Sequence, residues 1–232
     1  MDSFDKKILR TSDLKTSLEN CKLSIGSWIT LAHPAIAEIM ASAGFDWLVV
    51  DLEHSVITIR EAEELIRIIE LANVVPLVRL SSNNSTQIKR VMDAGASGVI
   101  VPMVNTASDA KTAVEAVKYP MEGLRGVGLA RAQGYEALFN EYLDWQKNGT
   151  IVIVQIEHIN AVNNLEEILT VPGVDGYIIG PYDLFDIYYN YRINKYLELN
   201  MTGLNIFDDR HKEMIGGAVM GRQVIMRLSA SI

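Results

Sequence analysis

Short, nearly unbroken apolar runs recur along the chain, each followed by a stretch with apolar positions three and four residues apart. The runs span 24–30 (SIGSWIT), 47–53 (WLVVDLE), 75–80 (VPLVRL), 98–104 (GVIVPMV), 151–157 (IVIVQIE) and 174–180 (VDGYIIG). They are rich in β-branched residues and do not alternate with polar ones. That is the pattern of strands buried on both faces of a parallel sheet. Helices are expected over 34–43, 58–71, 85–94, 108–117 and 161–169, with an extra N-terminal helix over about 1–20. Gly44 and Gly95 stand where two helices should stop. Thr58 with Glu61 three residues on reads as a capping box. Strands alternating with helices call for βαβ units. Six such units without a dinucleotide-binding turn favour an α/β fold of the TIM (β/α)8 barrel type over an open Rossmann sheet. No linker or repeat is visible, so 1–232 reads as a single domain.

Composition narrows the class. Apolar residues make up 49% and charged residues 22% of 232, which excludes disordered and collagen-like chains. Lys and Arg number 21 against 29 Asp and Glu, a net charge of −8. An acidic chain without a basic block is a poor partner for nucleic acid or an anionic membrane. The one cysteine, Cys21, allows no intrachain disulfide and no cysteine-based zinc site. No apolar run reaches the roughly 18 residues of a membrane span, and the opening MDSFDKK is no secretory signal. The expectation is a soluble, cytoplasmic enzyme or binding protein.

In a barrel of this type the chemistry sits where the strands end. The second run ends in Asp51-Leu-Glu53-His54, the third in Arg79 and the fifth in Gln155-Ile-Glu157, while Gly180-Pro-Tyr-Asp183 follows the sixth. Asp93 lies at a helix end before the fourth run. Unpaired charges crowded together cost several kcal/mol, so a shared purpose is the better reading of the set. Glu157 and Asp183 are hard oxygen donors suited to Mg²⁺ or Mn²⁺ with open positions for water and substrate. Arg79 offers a planar fork for a carboxylate or a developing enolate oxygen. A histidine such as His54 can move protons near neutral pH. Together these groups fit proton movement and bond cleavage next to the carbonyl of a 2-oxo acid.

Elsewhere the signals are weaker. The glycine-rich segment 123–135 (GLRGVGLARAQGY) lacks the G-x-G-x-x-G spacing. It reads as a lid, with Arg125 and Arg131 as groups for a carboxylate or phosphate. His33, ahead of Pro34, reads as structural or as lining the barrel mouth, and His158, after Glu157, as a surface residue or one beside the metal ligands. Trp28 and Trp47 read as core. No metalloprotease, nucleophile-elbow, P-loop or C-x-x-C motif occurs.

The strings GSWITLAHPAIAEIMASAGFDWLVVDLEH, PLVRL, IKRVMDAGASGVIVPMVNTASDA, YPMEGLRGVGLARAQGY, IVQIEHINAVNNLEEIL and VDGYIIGPYDL together resemble the HpcH/HpaI aldolases, metal-dependent class II pyruvate aldolases. The resemblance covers about 20–184 and implies a TIM barrel of the phosphoenolpyruvate/pyruvate type. It implies that Glu157 and Asp183 hold a divalent metal (Mg²⁺, Mn²⁺ or Co²⁺). It makes Arg79 the stabiliser of the pyruvate enolate and His54 the acid/base group, paired with Asp93. Gln155, Gly180 and the backbone at Tyr182 and Asp183 would contact pyruvate. Tyr182 stands where the family has a small residue. The implied reaction is retro-aldol cleavage of a 4-hydroxy-2-oxo acid, such as 4-hydroxy-2-oxoheptanedioate, to pyruvate and an aldehyde. Another carbon–carbon lyase acting on an oxo acid or acyl thioester, and a barrel that binds metal and pyruvate without turnover, stand beside it. The implied assembly is a homo-oligomer, a hexamer built from dimers. The tail 185–232 departs from the family. Strands are expected there at 203–207 and 222–228 with a helix at 208–215, and the apolar stretch 216–228 is expected to pack against the barrel.

Overall fold

The computed structural model describes residues 3–20, 22–180, 187–194, 197–204 and 223–230. Helix α1 (Ser3–Glu19) leads into β1 (Gly26–Ile29), α2 (Pro34–Ala41), β2 (Trp47–Asp51), α3 (Ile59–Leu71), β3 (Val75–Arg79), α4 (Ser85–Asp93), β4 (Gly98–Val101) and α5 (Ala107–Val117). A 3₁₀ turn (Arg131–Gln133), α6 (Phe139–Gly149), β5 (Ile151–Ile156), α7 (Ile159–Asn163), α8 (Leu165–Leu169) and β6 (Gly176–Ile179) follow. The six strands form one parallel sheet in the order β1-β2-β3-β4-β5-β6, curled into part of a barrel. The expected helix stops are real: Gly44 and Gly95 adopt φ values of 88° and 110°, which a residue with a Cβ rarely adopts. Thr58 and Glu61 form the capping box of α3.

Strand parity sorts the core. Leu48, Val50, Leu52, Val78, Leu80, Val99, Val101, Val152, Val154 and Ile156 face the helices in one cluster. Their alternates Trp47, Val49, Val75, Leu77, Ile100, Ile151 and Ile153 form a second cluster that also takes in Leu14 of α1. Alternation across a strand requires this split. It also decides where the polar residues go, because Asp51, Glu53, Arg79, Gln155 and Glu157 continue the second series toward the strand ends.

Helix α1 closes the opposite end. Lys7 Nζ donates to the Gly95 carbonyl at 2.7 Å and Thr11 Oγ1 meets Ser97 Oγ at 3.2 Å. Lys15 Nζ donates to the Thr150 carbonyl at 3.0 Å and pairs with Asp175 at 2.9 Å. All of these partners stand just before a strand begins.

The described tail strands are β7 (Ile187–Asn194), β8 (Leu197–Leu204) and β9 (Gln223–Ala230), an antiparallel sheet in that order. Two residues join β7 to β8, a length that permits antiparallel pairing only. The barrel's strand–helix alternation is therefore not what these strands continue. The expected strand at 222–228 corresponds to β9, and the start of the one at 203–207 belongs to the end of β8. The expected helix at 208–215 lies outside the described residues, as does most of 216–228.

Candidate active site

The ends of β2, β3 and β5 bring five charged or amide side chains together. Register sets Asp51 beside Arg79 on neighbouring strands. Arg79 Nε donates to Asp51 Oδ1 at 2.9 Å and its Nη2 to Oδ2 at 2.6 Å. The third guanidinium nitrogen, Nη1, lies 3.3 Å from Glu53 Oε2. The Trp28 ring lies 4.5 Å from the guanidinium carbon. Trp28 thus packs against the second core cluster and also forms a wall of the site, whereas Trp47 is fully buried and donates from Nε1 to Ser24 Oγ at 2.9 Å.

Glu157 is buried, with 7% of its surface exposed. Its Oε1 accepts the Met103 backbone N–H at 2.6 Å, and its Oε2 accepts from Gln155 Nε2. Gln155 Nε2 also faces Glu53 Oε2 at 3.4 Å. The Gln155 Oε1 atom is buried without a hydrogen-bond partner. His54 carries a largely exposed side chain, its Nε2 3.8 Å from Glu53 Oε2.

The electrostatics follow from this layout. Burial works to raise the Asp51 carboxyl, but the Arg79 fork and the backbone N–H groups of Glu53 and His54 outweigh it and hold the group below its ordinary value. Burial raises Glu53 above its ordinary value; Arg79 counters this, and the charge of Glu157 adds to it. Two carboxylates bridged by one amide, with the Arg79 charge largely committed to Asp51, make a mouth suited to a cation. Among the described residues no three His, Cys, Asp or Glu side chains form a metal cage.

The Asp51 shift has a sign that can be checked. A depressed carboxyl stabilises the fold above its unfolded value of about 3.9 and loses that contribution as pH falls through the lowered native value. The thermal midpoint of the wild type should therefore fall more steeply in acid than that of Asp51→Asn, which lacks the titrating group. Parallel curves between about pH 6 and about pH 2 would refute the ion pair's contribution.

Several expected site residues stand elsewhere. Asp93 ends α4, two residues before the chain turns at Gly95 toward β4. Burial raises its carboxyl, with Arg125 and Lys89 opposing. It is not beside His54, because a helix that leaves the end of one strand must finish where the next begins. Arg125 is buried, lies 4.0 Å from the Tyr119 ring and donates to Tyr142 Oη at 2.9 Å. Arg131 pairs with Glu70 at 2.8 Å and with the Ala94 carbonyl at 3.0 Å. Arg131 is thus committed within the chain, while Arg125 packs against the two tyrosines and keeps its Nε and Nη1 buried without a hydrogen-bond partner. His33 and His158 cap α2 and α7, each accepting a backbone N–H at Nδ1. The Gly180 N–H donates to the Ile156 carbonyl at 3.0 Å. Tyr182 and Asp183 lie outside the described residues.

The family model for HpcH/HpaI aldolase/citrate lyase matches residues 24–200. The chain belongs to this family. A hydroxypyruvate/pyruvate aldolase of Cupriavidus necator is 40% identical over 172 residues, 73% of this chain and 64% of that protein. A 4-hydroxy-2-oxo-heptane-1,7-dioate aldolase of Salmonella typhimurium is 42% identical over 172 residues, 73% of this chain and 65% of that protein. The chain thus spans just under two thirds of the length of these relatives. Among solved structures, an HpcH/HpaI aldolase/citrate lyase family protein from Burkholderia cenocepacia superposes with a TM-score of 0.70 at 34% identity, over 74% of this chain and 70% of that one.

Proposed function

We propose that this chain is a metal-dependent lyase that cleaves a 4-hydroxy-2-oxo acid to pyruvate and an aldehyde and catalyses the reverse condensation. The observation that carries the reading is the convergence of Arg79, Gln155, Glu157 and the His54-bearing end of β2 on one mouth of the sheet. The names of the two relatives, both aldolases of oxo acids, point the same way. In this reading the six strands belong to an eight-stranded barrel, which would cover the outer edges of β1 and β6.

The donor set fits a divalent cation. Glu157 would hold it, with Asp183 as the second protein ligand. Such an ion (Mg²⁺, Mn²⁺ or Co²⁺) would polarise the 2-oxo carbonyl as a Lewis acid. His54 takes the proton of the 4-hydroxyl. The C3–C4 bond breaks, the aldehyde leaves, and the electron pair passes to C3 and the C2 oxygen as an enolate. Arg79 faces that oxygen, held in place by Asp51 and Trp28. Protonation at C3, from solvent or by the proton that His54 took up, then gives pyruvate and returns His54 to its starting state. Gln155, Gly180 and the backbone at Tyr182 and Asp183 would seat the pyruvate portion. The test is pyruvate release from 4-hydroxy-2-oxo acids with and without EDTA. Release that EDTA abolishes is expected; release in neither condition would overturn the reading.

With His54 after β2 and Asp93 at the end of α4, their pairing would form between two copies of the chain. The segment beside Asp93 supports a second copy there. Met121, Leu124, Val127, Leu129 and Tyr135 are all exposed, and the Cβ position of Gly128 lies 3.8 Å from Asp93 Oδ2. An apolar patch next to a half-buried carboxylate suits a neighbour's site mouth. Mixing inactive His54→Ala with inactive Asp93→Ala protein should restore part of the activity, because a mixed assembly contains some mouths with both groups intact. No recovery after verified subunit exchange would sink the shared-site reading.

A further inference from the structure

Met103 stands just beyond β4 with φ +54°, in the left-handed region that residues with a Cβ seldom adopt. The turn around it is tied from several directions. Asn105 Nδ2 donates to the Met103 carbonyl at 3.2 Å, and the Asn105 N–H donates to Asp109 Oδ2 at 3.1 Å. Asn164, between α7 and α8, donates from Nδ2 to the Asn105 carbonyl at 2.9 Å. These ties fix an unfavourable backbone, and the Met103 N–H lies 2.6 Å from Glu157 Oε1. Strain that its surroundings over-determine is characteristic of functional sites. A short bond from N–H to carboxylate is among the stronger hydrogen bonds.

We propose that Met103 is a positioning residue for the metal-holding carboxylate: its left-handed backbone, braced by Asn105 and Asn164, sets the rotation of Glu157. With Gln155 on Oε2 and Met103 on Oε1, each oxygen has one donor and keeps a lone pair for a cation. An incoming cation then meets a carboxylate already held in one rotation, without the loss of side-chain freedom that a mobile one would undergo. The inference rests on the proposed role of Glu157 as a metal ligand and adds the β4–α5 turn to that site.

The test measures Mn²⁺ affinity of the whole chain by calorimetry, in the absence of substrate. Replacing the Met103 amide by an ester, through incorporation of the α-hydroxy analogue of methionine, deletes the N–H and leaves the side chain unchanged. Removing such a supporting bond is expected to weaken Mn²⁺ binding on the order of tenfold, with the metal-free thermal midpoint little moved. Met103→Gly keeps the N–H and tolerates the positive φ, so it should bind as the wild type does. Met103→Ile, β-branched at a positive φ, and Asn105→Ala, which unties the turn, should both weaken binding even if the ester protein does not fold. Wild-type affinity in the ester and Ile proteins would overturn the inference. Glu157→Gln separates the two levels. If it too leaves Mn²⁺ binding unchanged, the ligand assignment itself fails. If it removes binding while the ester does not, only the positioning role fails.

Discussion

Replacing Glu157 by Ala is expected to remove metal-dependent cleavage while the chain remains folded. Glu157 is one of two proposed protein ligands, and loss of a supporting partner alone commonly costs roughly 10 to 100-fold in affinity. Loss of the ligand itself should cost more than about 100-fold. The same change leaves the Met103 N–H and the Gln155 amide facing a void, a stability loss of about 1–3 kcal/mol. Glu157→Gln keeps the volume and should show the metal defect with a smaller stability loss. Circular dichroism and Mn²⁺ titration together check the split. A Glu157→Ala protein that binds Mn²⁺ as the wild type does would refute the assignment.

Arg79→Lys should lower kcat by about 10² to 10³, the range for removing a donor aimed at a developing oxyanion, with a much smaller rise in KM. An interaction that strengthens only as charge develops is missed in the rate and hardly in binding. Lysine cannot stand in. Arg79 uses Nε and Nη2 in parallel toward Asp51, points Nη1 at Glu53 and stacks on Trp28, and a single ammonium has neither the fork nor the flat face. Steady-state kinetics of Arg79→Lys decide the point: wild-type kcat would remove Arg79 from the chemistry.

The framework was legible because its signals are local. Continuous β-branched runs marked all six parallel strands to within three residues, and Thr58, Gly44 and Gly95 marked helix boundaries through their own backbone needs. Polar residues at the ends of those runs marked the mouth, and a period of two explains why Asp51, Arg79, Gln155 and Glu157 share it. What was not legible depends on neighbours distant in sequence. Nothing local in Asp51 says that register sets it beside Arg79, so its part in holding the guanidinium emerges only from the sheet. Trp28 reads as core and packs there, but its contact with the Arg79 guanidinium emerges only from the fold. Arg125 reads as a lid group because burial against Tyr119 and Tyr142 requires α6. That helix carries its own signal in the spacing of Phe139, Tyr142 and Trp145, set among polar residues that mask it. The motif that carries Asp93 says nothing of its place, and only the course of α4 puts it where that helix ends, away from the end of β2.

The most direct measurement is a crystal structure of the protein with Mn²⁺ and pyruvate, read by anomalous scattering at the manganese edge. A single strong peak is expected within coordination distance of a Glu157 oxygen, at roughly 2.1 Å, with pyruvate between it and Arg79. A peak away from Glu157, or pyruvate bound out of reach of Arg79, would contradict the account.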